Sequence, residues 1–176
     1  LGIVGFGRIG SAVARRAVAS GMNVIYLTRS QPEEDYGCER VNSLNELLER
    51  SDFVSIHCPL TPETNQLIGA AELKRMKPEA SLINTARGPI VDTEALTTAL
   101  QNGDIAYAAL DVTDPEPIAP DHPLVSLENV TIVPHIASAT VGTRRKMSEM
   151  TVENILATLN GKLPPNCVNA DRINWG

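Results

Sequence analysis

The chain opens Leu1-Gly2-Ile3-Val4-Gly5-Phe6-Gly7-Arg8-Ile9-Gly10, and the reading of this decade decides the fold. Leu1 to Val4 form a short apolar run suited to a buried strand. Gly5, Gly7 and Gly10 then match the spacing G-x-G-x-x-G, and from Arg8 to Ser20 alanines and valines recur at the spacing of one buried helical face. A glycine triplet alone is a weak signal; between a strand and a helix it reads as a phosphate-binding turn. Gly5 permits the tight turn, Gly7 lets backbone approach a pyrophosphate, and Gly10 allows helix and strand to pack closely. Arg8 and Ile9 lie at the helix start, where unpaired N–H groups and the positive dipole end favour an anion. The expected ligand is a dinucleotide.

The rest of the chain repeats the alternation. "NVIYLT", "DFVSIHC", "ASLINTA", "IAYAALDV" and "NVTIVPH" read as strands. Between them lie helical stretches: Leu44 to Arg50 after a Ser43…Glu46 capping box, a start at Thr61-Pro62-Glu63, Ala70 to Met76, and Thr93 to Gln101 with Asn102-Gly103 as its stop. Thr140 to Leu159 reads as a long last helix. The strands are apolar on both faces, as buried parallel strands are. The fold class is therefore α/β: a Rossmann-type, doubly wound parallel sheet with helices on both faces, formed by one dinucleotide-binding domain over residues 1–176. In such sheets ligands sit beyond the carboxyl ends of the strands.

Composition agrees with a soluble globular protein. The 176 residues are 43% hydrophobic and 20% charged, with a net charge of −6. An acidic balance argues against general nucleic-acid binding, and no apolar run is long enough to span a membrane. Cys38, Cys58 and Cys167 have no metal-ligand spacing and make an odd number, so no disulfide framework or metal site is expected, and the expected compartment is the cytoplasm. The chain starts inside a strand without a methionine, which reads as a fragment or excised domain.

The second strand ends without the expected acid. A carboxylate about 20 residues beyond the glycines normally holds a ribose 2′-hydroxyl. Thr28 stands there, 18 residues after Gly10, followed by Arg29 and Ser30. An acid would repel an adenosine 2′-phosphate; the arginine fork attracts one, and Thr28 and Ser30 add hydroxyl donors. The expected cofactor is NADP(H) in preference to NAD(H). Glu33, Glu34 and Asp35 follow closely and keep NAD(H) possible.

Three further strand ends carry reactive side chains. "INTARG" places Arg87, "ALDVTDPEP" places Asp111 and Glu116, and "IVPHIASAT" places His135. All should face the same sheet edge as the glycine turn. An arginine there can bind a carboxylate and polarise a carbonyl. A histidine can protonate the carbonyl oxygen as hydride reaches carbon. Glu116 can orient the histidine and favour its protonated form. The set suits reduction of a 2-oxo acid.

With "GIVGFGRIG", "HCPLTPET", "LINTARGPIVD", "ALDVTDPEP" and "PHIASAT" in this order, the chain resembles the cofactor-binding domain of the D-isomer-specific 2-hydroxyacid dehydrogenases. "TRSQPEE" and "DVTDPEPIAPDHPL" make it most similar to the glyoxylate/hydroxypyruvate reductases among them. The resemblance implies that Arg87 binds substrate, that Glu116 pairs with His135, and that His135 is the proton donor. It further implies that Asp111 and the Thr85–Ala86 backbone lie near the nicotinamide. By the same match Pro59 and Thr64 line the cofactor, Ala137 borders the nicotinamide or substrate pocket, and Ser138 touches substrate. A homodimer built through this domain is implied as well.

Two departures stand out. Ala137 replaces the glycine common after "PHI", and a methyl there narrows the pocket. The family's separate substrate domain is not represented, so the chain alone is expected to bind cofactor and turn over poorly. Phosphoglycerate and D-lactate dehydrogenases share the apparatus and stay open as alternatives. So do cofactor-sensing corepressors, which keep the same three residues. The formate-oxidising relatives carry glutamine where Glu116 stands and fit less well.

Overall fold

The structure, a computed structural model, describes residues 1–173 and 175. Its elements are β1 (Gly2–Val4), α1 (Arg8–Ala19), β2 (Ile25–Leu27), β3 (Glu39–Arg40), α2 (Leu44–Arg50), β4 (Phe53–Ile56), α3 (Ala70–Leu73), β5 (Ser81–Asn84), α4 (Thr93–Asn102), β6 (Tyr107–Leu110), β7 (Val130–Ile132) and α5 (Val141–Leu159). They belong to two compact units, Leu1–His135 and Ile136–Gly176.

The first unit holds a seven-stranded sheet in the order β3-β2-β1-β4-β5-β6-β7. Every pair is parallel. The strand order reverses between β1 and β4, which opens the crevice where such sheets bind ligands. Alternation along the strands serves both faces. Ile3 and Tyr26 pack with Ala14 and Ala17 of α1, while Val4 and Ile25 pack with Leu47 and Leu48 of α2. Gly10, Ala14 and Ala17 form the buried stripe of α1, at the spacing an amphipathic helix requires. The Phe6 ring stacks on Tyr26 with centroids 3.9 Å apart, so the glycine turn is anchored to β2 from below.

Helix ends follow their sequence signals closely. Ser43 Oγ accepts from Glu46 N at 3.2 Å. The return bond of Glu46 goes to Asn42 N at 3.3 Å instead of to Ser43. Asp92 caps α4, and Gly103 stops it in the left-handed region at φ 73°. Two expectations are corrected. Thr61-Pro62-Glu63 opens no helix: residues 61–66 form turns, and Thr64 Oγ1 accepts from Thr61 N at 2.8 Å and donates to Pro59 O at 2.6 Å. One turn does close, with Asn65 N donating to Thr61 O at 2.9 Å, but Gln66 lies in the left-handed region at φ 51° and its N donates to Pro89 O at 2.7 Å, which ends it. The stretch from Ala70 stops as α3 at Leu73 and continues in turns to Met76. The two-residue edge strand β3 was not expected, because both its residues are exposed and carry no apolar pattern.

In the second unit, Thr140 Oγ1 accepts from Thr143 N at 3.2 Å and starts α5. Asn154 Oδ1 in that helix accepts from Asn166 N at 3.1 Å and so fastens the segment that follows. Ala137 and Ser138 lie ahead of the helix and are exposed.

Candidate active site

Parallel pairing puts the carboxyl ends of all seven strands on one edge. The glycine turn follows β1, Thr28 follows β2, His57 follows β4, the Arg87 turn follows β5, Asp111 follows β6 and His135 lies three residues beyond β7.

The glycines divide into two kinds. A Cβ on Gly10 would overlap the Gly5 carbonyl, and one on Gly5, at φ +95°, would overlap the backbone of Cys58. Those two are demanded by the packing of this chain. Gly7 has nothing within 4 Å of where a Cβ would stand, and its backbone is extended, at φ −84° and ψ −161°. Neither strain nor packing requires glycine there. The open approach to backbone at the start of α1 fits a pyrophosphate, and Arg8 and Ile9 are exposed beside it.

At the end of the neighbouring strand β2, Thr28 is half-buried, while Arg29 and Ser30 are exposed. Asp35, one of the three following acids, is already engaged: its Oδ1 accepts from Gly37 N at 2.9 Å. The charge of Arg29 is felt by the loop after β4. The Thr61 hydroxyl and its own backbone hold the Glu63 carboxyl below the usual range, and Arg29 acts in the same direction. Burial pushes the Cys58 thiol up, and Arg29 opposes that rise. Pro59 lies on the same loop, fastened by Thr64.

His57 sits beneath this loop. Its Nε2 is 2.8 Å from Ser55 Oγ and its backbone N donates to Val4 O at 2.7 Å. Burial holds its pKa below the ordinary 6.5. The unfolded chain therefore takes up a proton that the folded one resists, and stability falls as pH drops below 6.5. Thermal melts between about pH 7.5 and 5 should show a shallower acid-side decline for His57→Gln than for the parent. Identical slopes would mean that other groups set the decline.

The Arg87 turn is organised by a residue that sequence reading missed. Asn84, only 1% exposed, donates from Nδ2 to Arg87 O at 2.9 Å, and its Oδ1 accepts from Ala86 N at 3.0 Å. It thus holds the Thr85–Ala86 backbone and the arginine together. The only signal in sequence was an amide at the end of an apolar strand. Gly88 then lies flat against Thr113, whose carbonyl a Cβ would overlap. Arg87 itself is exposed, with Nη1 donating to Ala86 O at 2.6 Å.

Glu116 and His135 meet. His135 Nδ1 is 2.7 Å from Glu116 Oε1, with both side chains about half exposed. The Glu116 loop is tied down by bonds from Thr93 Oγ1 to Asp114 O and from Thr113 Oγ1 to Pro115 O, each 2.8 Å. His135 has φ 51°, in the left-handed region, and its N donates at 3.0 Å to both Asp111 O and Val133 O. Asp111 is buried at the floor. Asp111, Thr113, Glu116 and His135 line a cavity of about 410 Å³ with Ile118, Ile132 and Pro134. A carboxylate fixing one imidazole nitrogen leaves the other, Nε2, to exchange a proton with a ligand. The structure thus gathers Arg87, Asp111, Glu116 and His135 at one edge of the first unit, whereas Ala137 and Ser138 belong to the second.

Comparison with known proteins identifies the family of this domain. The family model of the D-isomer specific 2-hydroxyacid dehydrogenase, NAD binding domain, matches residues 1–137. A glyoxylate reductase of Korarchaeum cryptofilum is 53% identical over 176 residues, covering 98% of this chain and 53% of its own. The NAD-complexed form of a D-isomer specific 2-hydroxyacid dehydrogenase from Lactobacillus delbrueckii ssp. bulgaricus superposes with a TM-score of 0.87 at 37% identity, over 96% of this chain and 55% of that one. The NADPH-dependent glyoxylate/hydroxypyruvate reductase of Sinorhizobium meliloti, in complex with NADP and malonate, gives 0.84 at 42% identity, over 90% of this chain and 49% of that one. The chain spans about half the length of the relatives it matches. By fold, motif order and similarity, the chain belongs to the D-isomer specific 2-hydroxyacid dehydrogenases and carries their NAD-binding domain.

Proposed function

We propose that this chain is the cofactor-binding part of a reductase that acts on glyoxylate or hydroxypyruvate and prefers NADP(H) to NAD(H). The observation that carries the chemistry is the 2.7 Å contact between His135 Nδ1 and Glu116 Oε1 at the mouth of the strand-end cavity. A bound reduced nicotinamide supplies the hydride for the 2-oxo carbon. His135 moves a proton from Nε2 to the carbonyl oxygen, and Glu116 keeps the ring turned for that transfer. Arg87 binds the substrate carboxylate and polarises its neighbour carbonyl. Ser138 is assigned to the substrate and Ala137 to the pocket wall. The Sinorhizobium relative is a complex with NADP and malonate, a small dicarboxylate. Small 2-oxo and 2-hydroxy acids are the partners in this reading, with a cytoplasmic homodimer as the working form. No helix among the described residues is long and apolar enough to cross a membrane.

The cofactor preference rests on the end of β2. Thr28, Arg29 and Ser30 offer two hydroxyls and a guanidinium where an acid would exclude a 2′-phosphate. Titration with NADPH and NADH, for the parent and Arg29→Ala, tests it. Removing a charged phosphate partner should weaken NADPH by about 1.5–3 kcal/mol, roughly 10- to 150-fold, and leave NADH nearly unchanged. Equal losses for the two cofactors would show that Arg29 does not read the phosphate.

A further inference from the structure

A second arginine stands behind the first. β3 contributes only Glu39 and Arg40, and Arg40 pairs with Tyr26 of β2. Its guanidinium reaches along the sheet edge past the end of β2. Nη2 donates to Thr28 O at 3.0 Å and Nη1 donates to Gln31 Oε1 at 3.1 Å. These two acceptors bracket Arg29 and Ser30. The dipeptide lies beyond the last ladder bond of β2, so the sheet itself does not fix it. A planar fork that bonds residues on both sides of it does.

We propose that Arg40 is a positioning residue that determines cofactor specificity: it clasps the Thr28–Gln31 turn so that Arg29 and Ser30 are presented to an adenosine 2′-phosphate. The inference rests on the NADP(H) reading above. The clasp is bidentate across a turn, which an ammonium cannot reproduce from one point. Preorganising the turn before binding spares the phosphate the ordering of the Arg29–Ser30 backbone.

The test is a double-mutant cycle on the full chain, read as the ratio of NADH to NADPH dissociation constants. Arg40→Ala should lower the preference for NADPH about tenfold, leaving NADH binding and the melting temperature unchanged. Arg40→Lys should lower it similarly, because charge without the fork does not clasp the turn. Gln31→Ala, which removes one anchor, should lose less. The double variant Arg29→Ala/Arg40→Ala should be little worse than Arg29→Ala alone, since Arg40 acts through Arg29. Full additivity, or rescue by lysine, would overturn the positioning role. An unchanged preference in Arg40→Ala, with Arg29→Ala still destroying it, would overturn this proposal and leave the NADP(H) reading intact. No preference in the parent would remove both.

Discussion

In the intact protein, replacing His135 by asparagine should lower kcat for glyoxylate reduction by about 10²- to 10⁴-fold, the usual contribution of one positioned general acid. Asparagine is chosen for backbone reasons. His135 lies at φ 51°, a region asparagine tolerates better than most residues, so the loss should not be confounded by misfolding. The amide can accept or donate a hydrogen bond to Glu116 but cannot deliver a proton to the substrate oxygen. Cofactor affinity should stay close to that of the parent, because the dinucleotide turn follows β1, at the far side of the switch point from β7. Glu116→Gln keeps a hydrogen-bonding partner for Nδ1 and should lose less. A kcat within a factor of about ten of the parent would mean that a different group, or water, protonates the oxygen. Partner binding regulated by cofactor, with no turnover in the parent, would instead favour an interaction role of the corepressor kind.

A valine at position 7 should abolish dinucleotide binding in the micromolar range and leave the fold intact. Gly7 has open space where a Cβ would stand and an extended backbone that any residue adopts. Valine therefore disturbs the protein little and occupies the approach to the N–H groups that begin α1. If it keeps the pyrophosphate from two of those donors, the loss is about 3 kcal/mol or more, at 1.5–3 kcal/mol for each bond to a charged acceptor. Gly10→Ala makes the contrast. Its Cβ would collide with the Gly5 carbonyl, so the helix must shift, and stability should fall by about 1–3 kcal/mol. Calorimetric titration beside thermal melts separates the two. A Gly7→Val protein that binds NADPH normally would show that the pyrophosphate does not sit on this turn.

How far the fold was legible in sequence depends on the range of the interactions involved. The glycine turn, the Ser43 and Asp92 caps and the Gly103 stop are local signals, each fixed by residues within a few positions of one another. Together with the apolar strands they define the alternation, and the alternation defines the parallel sheet. Arg87, Glu116 and His135 were marked because each follows a strand, and parallel strands end on one edge. What escaped notice is held by contacts between distant residues or by competition. Arg40 reaches twelve residues back to Thr28, from a strand too short and too polar to show a pattern. Asn84 resembles an ordinary strand-end amide until its bonds to the Arg87 turn are seen. Thr61-Pro62 has the form of a helix start, but after one turn Gln66 N goes to the carbonyl of Pro89, twenty-three residues on, and not to the preceding turn.

The left-handed backbone at His135 sets a conflict between durability and chemistry. A non-glycine residue in that conformation costs on the order of 1–3 kcal/mol, and glycine would relieve it. Heat selection applied without a demand for turnover should therefore drift toward glycine at 135, trading the proposed proton donor for a calmer loop. An engineering campaign for thermostability in this protein must hold that codon fixed and look for its gains elsewhere.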